Sequence, residues 1–368
     1  MSTRRRIAVV MAGGSGERFW PLSRVQRPKQ LLRLADPAKS LIEQTVERLS
    51  PLIEAGDVLI ATAPHLVQPS QGVLPNLEPA QFLAEPHKKN TAGCLVWVAA
   101  QLLAQDPNAR AHTSMAVLAA DHRITPDEGF RATIEAALDV AESTGGIVTI
   151  GIRPDRPETG YGYIEAESSK PAIGTAQVPI RPVRQFREKP DRPTAESFLA
   201  QGGFLWNSGT FFWTLDTFLR ELERVAPELY TAIGDLAELL KKGDHQAAAD
   251  RFAQLPSISI DYALMEKAEM VFVAEAAFEW DDVGSWDALD RSLAPDGDNN
   301  VTQGDTLAIE ASHNIIVSDR AETTVCLLGV DNLVVVVTDD AVLVAPKDRS
   351  QEVKKIVERL KAEAKSKY

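Results

Sequence analysis

The chain's first apolar run, residues 7–12, is Ile-Ala-Val-Val-Met-Ala with no polar position, and it stops at Gly13-Gly14-Ser15-Gly16. Residues 7–11 read as a strand buried on both faces, which points to the interior of a sheet covered by helices. Helical and strand patterns then alternate. Residues 40–49 read as a helix opened by the capping box Ser40-x-x-Glu43, and 58–62 as a strand. Residues 115–120 read as a buried strand, Phe130, Ile134, Ala137, Leu138 and Ala141 recur at helical spacing, and 147–152 gives the next strand. This βαβ order predicts an α/β fold with a Rossmann-like, mostly parallel sheet. A chain of 368 residues is expected to divide into about two domains.

The pattern changes at Pro295-Asp296-Gly297-Asp298-Asn299-Asn300, a cluster of helix and strand breakers. Beyond it, residues 314–317, 324–328, 333–337 and 342–345 read as short strands with no helix between them, a small β-module that could form part of a β-solenoid. The tail places Val353, Ile356, Val357 and Leu360 on one helical face behind an expected Asp348-x-x-Gln351 cap. The expected division is therefore 1–292 and 298–368. Arg4-Arg5-Arg6 resembles the start of a secretory leader, but the following apolar run is too short, and no stretch is long enough to cross a membrane. Cys94 and Cys326 are far apart and form no CxxC, so a reducing, cytoplasmic setting is expected.

The glycine-rich turn follows a strand at the sheet edge where open α/β folds bind ligands. It is neither a Walker A loop nor a dinucleotide fingerprint, since the first needs Gly-Lys-Ser/Thr and the second a glycine where Phe19 stands. Its charge is distinctive. The chain as a whole carries a formal net charge of −13, which argues against a nucleic-acid binder, yet Arg18, Arg24, Arg27, Lys29 and Arg33 here stand against Glu17 alone. Glycines that let backbone N–H groups approach, next to cations, suit phosphate oxygens. Asp121 follows another apolar strand at the same edge, and Asp281-Asp282 supplies further carboxylates, of which at most one faces a site on an extended chain. Asp121 with Asp281 or Asp282 would suit a hard divalent ion. No His-Glu-x-x-His or Gly-x-Ser-x-Gly occurs, so zinc hydrolysis and serine-nucleophile catalysis lack support.

The segment Gly13-Gly14-Ser15-Gly16-Glu17-Arg18-Phe19-Trp20-Pro21-Leu22-Ser23-Arg24, with Arg27-Pro28-Lys29-Gln30, resembles the signature of the sugar-1-phosphate nucleotidylyltransferases, and in detail their mannose-1-phosphate guanylyltransferase branch. Further motifs of that family follow in order: Glu85-Pro86-x-x-Lys89-Asn90-Thr91-Ala92, Pro157-Glu158-Thr159-Gly160-Tyr161-Gly162-Tyr163-Ile164, Glu188-Lys189-Pro190, Trp206-Asn207-Ser208-Gly209, Ser259-Ile260-Asp261-Tyr262 and Asp282-Val283-Gly284-Ser285-Trp286. The resemblance extends to Gly329-Val330-Asp331-Asn332-Leu333 and Asp348-Arg349, nearly the whole chain. One departure is that a proline commonly follows Thr-Ala in relatives, where this chain has Gly93.

The resemblance implies transfer of GMP from GTP to mannose 1-phosphate, giving GDP-mannose and pyrophosphate, with Mg2+ as cofactor. It implies Arg18, Lys29, Asp121 and Asp282 as catalytic residues, with Asp121 and Asp282 holding the metal. Gly13, Gly14, Ser15 and Gly16 would cradle the triphosphate, and Glu85, Asn90 and Thr91 would read guanine. Gly160, Tyr161, Gly162, Glu188 and Asn207 would read the sugar, and Lys189 would pair with its phosphate. Trp20, Trp206, Trp213 and Trp286 are expected to pack behind the site. Many relatives continue into a cupin domain with phosphomannose isomerase activity. This chain ends about where that domain would begin, so the transferase alone is expected. Alternatives are an enzyme of this fold using another base or sugar phosphate, or an inactive regulatory subunit. No site motif falls beyond residue 300, so the β-module is expected to serve assembly, as a homodimer, rather than chemistry.

Overall fold

The computed structural model describes residues 4–363. Twelve strands build the first part: β1 (Arg5–Met11), β2 (Val58–Thr62), β3 (Phe82–Ala84), β4 (Thr113–Ala119), β5 (Arg123–Thr125), β6 (Ile147–Ile152), β7 (Tyr163–Ala166), β8 (Ile173–Gly174), β9 (Pro179–Arg187), β10 (Phe204–Thr214), β11 (Val271–Glu275) and β12 (Glu279–Asp281). The main sheet runs β3-β2-β1-β4-β10-β6-β11-β9-β7. The β3-β2-β1-β4 half is parallel, as is the β6–β11 pair. Between β4 and β6 lies β10, antiparallel to both, and β9 and β7 are antiparallel as well, so the parallel order is confined to those two parts.

Helices cover both faces. The predicted capping box forms: the Glu43 N–H meets Ser40 Oγ and the Ser40 N–H donates to Glu43 Oε2 at 2.7 Å, opening the helix Leu41–Glu47. The helix Asp127–Thr144 ends on Gly145 in the left-handed conformation. The helix Asn90–Gln105 is buried along most of its length between the sheet and the helix Pro227–Lys241. Trp20, Trp206, Trp213 and Trp286 are all buried.

The second part contains β13 (Val301–Gln303), β14 (Thr306–Ile309), β15 (Ile315–Ser318), β16 (Val325–Leu328), β17 (Leu333–Val337) and β18 (Val342–Pro346). Strands β13, β15 and β17 stack in parallel, as do β14 and β16, and β18 closes antiparallel on β17. The pairings Thr306↔Val325 and Ile315↔Val334 repeat one coil later, and Ser312 reaches Asp331 at the same separation of 19 residues. This is a short parallel β-helix. Its turn carries a buried asparagine stack: the Asn314 amide donates to Asn300 Oδ1 and to Val330 O, satisfying backbone that the coil would otherwise strand.

The C-terminal helix, Val353–Ala362, is present, but the Asp348-x-x-Gln351 cap is not. A 3-10 turn spans Lys347–Glu352, and Gln351 Nε2 donates to Ser285 Oγ at 2.7 Å, so a tertiary partner has taken the capping side chain. One apolar core joins the two parts, combining Phe19, Trp20, Leu22 and Trp286 with Val301, Ile315, Val334, Val353 and Val357. The module is thereby packed directly behind the glycine turn. Among the described residues, no helix is long and apolar enough to cross a membrane.

Candidate active site

Strands β1 and β4 lie side by side with Met11 opposite Ala119, so the glycine turn and Asp121 emerge together at one sheet edge. The small pair β5–β12 sets Asp281 opposite Arg123, which delivers Asp282 to the same place. Gly16 has φ of 60°, and a Cβ there would collide with Lys29 Cβ and stand 2.7 Å from its backbone nitrogen. Only glycine lets the turn close over Lys29. Lys29, 7% exposed, extends its ammonium to Asp121 Oδ2 at 2.8 Å and to the backbone oxygen of Asp282. These groups line a cleft of about 360 Å³ together with Ser15, Arg18 and His122. Arg18 Nη1 lies 3.5 Å from Gly284 O.

The adjacent carboxylates are separated by their surroundings. Asp281 is buried, accepts from the Val283 N–H at 2.7 Å and pairs with Arg291 Nε at 2.6 Å, so it holds the chain in place. Asp282 faces the cleft, where Tyr161 donates its hydroxyl to Oδ1 at 2.5 Å. Burial raises the Asp282 carboxyl above its ordinary range, against the pull of Tyr161 and Lys29. Burial acts the same way on Asp121, but the charge and hydrogen bond of Lys29 prevail and hold it below that range. The two carboxylates thus lie in the field of one ammonium. Such a donor set fits a hard divalent ion that completes its shell with water and phosphate oxygens. No cluster of three or more ligating side chains occurs among the described residues, so the protein's share would be these two. His122 accepts from Trp280 Nε1 at 3.1 Å, and burial lowers its pKa to about 4, which keeps the ring neutral.

On the other side of the glycine turn, Gly13, Gly14, Ser15, Glu85 and Lys88 border a second hollow of about 370 Å³. Burial pushes the Glu85 carboxyl up to about 7, against the Cys94 thiol beside it, and burial also raises that thiol. Asn90 is exposed with φ of 62° at the start of its helix, and its Oδ1 accepts from the Thr91 N–H at 2.8 Å. Thr91 Oγ1 accepts from the Ile260 N–H at 2.8 Å. Thr91 therefore ties this segment to the one carrying Asp261.

A third group lies where β7, β9 and β10 meet. A Cβ on Gly162 would stand 2.5 Å from Glu188 Oε2 and 3.4 Å from Asn207 Cβ, so the missing side chain is what lets that carboxylate approach. Asn207 Nδ2 donates to Asp261 Oδ1 at 3.0 Å, and Lys189, at φ of 45°, pairs with Glu188 Oε1 at 2.8 Å. The Gly160 N–H donates to Glu158 Oε1 at 3.0 Å. Asp261 stands in the Ser259-Ile260-Asp261-Tyr262 motif but is not among the residues that sequence reasoning singles out for the site. Burial and the nearby Glu188 charge raise it to about 6, and it opens a single π turn, Asp261–Met265, a rare element common at functional sites.

Two expectations change. Arg24 and Arg27 do not face the cleft: they pair with Asp340 and Asp319, each at 2.7 Å, and so clamp the β-module to the glycine turn. Conversely, Lys354 from the C-terminal helix lines the cleft. The module thus contributes a side chain to the cleft wall, and no local pattern around residue 354 announces this, because the position is set by how the two parts pack.

The family model "Nucleotidyl transferase" matches residues 7–295, and "MannoseP isomerase/GMP-like beta-helix domain" matches 304–360. The mannose-1-phosphate guanylyltransferase of Klebsiella pneumoniae is 39% identical, covering 98% of this chain and 75% of that protein. One from Escherichia coli is 38% identical with the same coverage. The crystal structure of a Thermus thermophilus protein, described as a mannose-1-phosphate geranyltransferase, superposes with a TM-score of 0.83 at 36% identity, covering 97% of this chain and 99% of that one.

Proposed function

We propose that this chain, which belongs to the nucleotidyl transferase family and within it to the mannose-1-phosphate guanylyltransferases, transfers GMP from GTP to mannose 1-phosphate in the cytoplasm. The observation that carries the reading is the joining of Lys29 to the Asp121 carboxylate and to the backbone oxygen of Asp282, whose carboxylate lines the same cleft at the mouth of a glycine turn. The sugar phosphate, with a second pKa of about 6, is mostly dianionic at neutral pH and needs no base. What remains is to bring two polyanions into line. The Gly13–Gly16 turn, Arg18 and Lys29 hold the triphosphate. Asp121 and Asp282 hold Mg2+, which when bound neutralises charge on the phosphates. Gly162, Glu188, Asn207 and Asp261 receive the sugar hydroxyls, and Lys189 its phosphate. Tyr161 orients Asp282 through its hydroxyl. We further assign residues 1–292 to the catalytic domain and 298–368 to the β-helix module, a division consistent with the two family matches. Leu307, Ile309 and Leu328 expose an apolar face on β14 and β16 that a homodimer would cover, which light scattering checks.

Pyrophosphate release across a panel of nucleotides and sugar phosphates tests the reaction. GTP with mannose 1-phosphate and Mg2+ should give the fastest turnover, and excess chelator should stop it. Comparable turnover with UTP, or full turnover in chelator, would overturn the assignment.

Glu85 gives the base reading a pH signature. Guanine presents N1–H and N2–H side by side, a match for the two oxygens of an ionised carboxylate, whereas uracil offers one N–H between carbonyls. With the pKa raised to about 7, the accepting form is lost as pH falls through 7. The KM for GTP should therefore rise about tenfold from pH 8 to pH 6, in proportion to the shrinking ionised fraction. Glu85→Gln should bind GTP weakly at pH 8 and lose this slope. A flat wild-type profile would remove Glu85 from guanine recognition.

A further inference from the structure

The C-terminal helix lies against the glycine turn, with Val353 and Val357 in the core that contains Phe19 and Trp20. It is fastened to the catalytic part along its approach. Lys347 pairs with Asp290 at 2.8 Å, Ser350 Oγ donates to Asp287 Oδ1 at 2.5 Å, and Gln351 Nε2 donates to Ser285 Oγ at 2.7 Å. Farther along, Lys361 pairs with Glu17 Oε1 at 2.6 Å. These ties come from both ends of the segment and fix its rotation. Lys354 then points into the cleft beside Ser15, Arg18, Lys29 and Asp121. Among the described residues it forms no ion pair, although its neighbour Lys355 is held by Glu352 at 2.7 Å.

We propose that this helix is a working part of the triphosphate site: Lys354 supplies a cation to the β- and γ-phosphates of GTP, which leave as pyrophosphate, and Lys361 neutralises the Glu17 carboxylate at the cleft wall. The inference rests on reading the cleft as the triphosphate site. Its electrostatic basis is a shortage of cations. The cleft is lined by Glu17, Asp121 and Asp282 as well as Arg18 and Lys29, and Lys29 is already engaged by the Asp121 carboxylate and the Asp282 backbone oxygen. A pyrophosphate leaving group carries more charge than one arginine can balance, and an ammonium acts on it as an adaptable point charge. Lys354 lies on the glycine-turn side, away from the Glu188, Asn207 and Asp261 group, so its effect is selective for the nucleotide over the sugar phosphate.

The test uses the full chain. Titration calorimetry with inorganic pyrophosphate and Mg2+ on wild type, Lys354→Ala, Lys354→Arg and Lys355→Ala reads the anion site without either substrate. Steady-state kinetics supplies the KM values. Lys354→Ala should weaken pyrophosphate binding and raise the KM for GTP roughly tenfold, as expected for one charged hydrogen bond. The KM for mannose 1-phosphate should stay within about twofold. Lys354→Arg should recover most of the loss, and Lys355→Ala should match wild type. Pyrophosphate binding by Lys354→Ala within about twofold of wild type, or an equal loss in Lys355→Ala, would overturn the proposal. Failure of the broader reading looks different: wild type would not turn over GTP with mannose 1-phosphate, whatever the pyrophosphate titrations gave.

Discussion

Asp282→Asn should lose nucleotidyl transfer by at least about a thousandfold while melting no lower than wild type, and Asp281→Asn should do the reverse. The two residues are adjacent, have the same chemistry and differ only in what surrounds them. Asp282 is held above the ordinary carboxylate range by burial, so its ionised form carries a penalty in the protein without metal. An amide removes that penalty and still accepts from Tyr161, but it cannot balance a divalent ion. Asp281 neutralises Arg291 at 2.6 Å and caps the Val283 N–H. Breaking that pair should cost about 2 kcal/mol, discounted from the fully buried case because Arg291 is partly exposed, and lower Tm by several degrees. Its turnover should stay within about tenfold of wild type, because the backbone carrying Asp282 keeps its amide acceptor. Thermal melts and initial rates on the two variants decide the matter. Turnover in Asp282→Asn near the wild-type rate would remove Asp282 from the metal site.

This pair also marks how far the sequence can be read. The strand before Gly13 and the strand before Asp121 are legible because both are apolar on both faces, and the parallel pairing of such strands carries their ends to one edge. Which of two successive aspartates faces the cleft depends on the register of β12 on β5, where Asp281 meets Arg123, and no periodicity exists in a strand of three residues to set it. The basic stretch is legible as charge but not as destination: Arg24 and Arg27 turn to Asp340 and Asp319, more than 290 residues along the chain, and only the shared core behind the glycine turn explains why. Lys354 escapes sequence reasoning for the same reason. Local rules hold where the partner is local, as in the Ser40–Glu43 box, and give way where a tertiary partner competes, as when Gln351 bonds Ser285 instead of capping its helix.

On the proposed function Lys29 has a chemical role as well as a structural one, and its loss should be felt in both. A polar loop position would tolerate truncation, but Lys29 is buried and its ammonium is the partner of Asp121. Lys29→Met keeps the stem that packs under Gly16 and removes only the charge, leaving two carboxylates facing each other's field. In metal-free buffer the variant should lose about 2 kcal/mol of stability, less than a fully buried broken pair because Asp121 retains some solvent contact. Mg2+ held by the two aspartates would supply the missing positive charge and should restore much of this, so a Tm that rises more with Mg2+ in Lys29→Met than in wild type is the expected signature. Turnover should not recover with it. A metal held by the aspartates would not replace the cation that the proposed function assigns to the triphosphate, and removing one such donor from a preorganised site costs about 10²–10³ in kcat. Lys29→Arg should melt close to wild type and remain slow, because the guanidinium keeps the charge but not the fit under the glycine turn. Wild-type turnover in Lys29→Met would leave Lys29 a purely structural residue and return the triphosphate to Arg18 and the Gly13–Gly16 backbone.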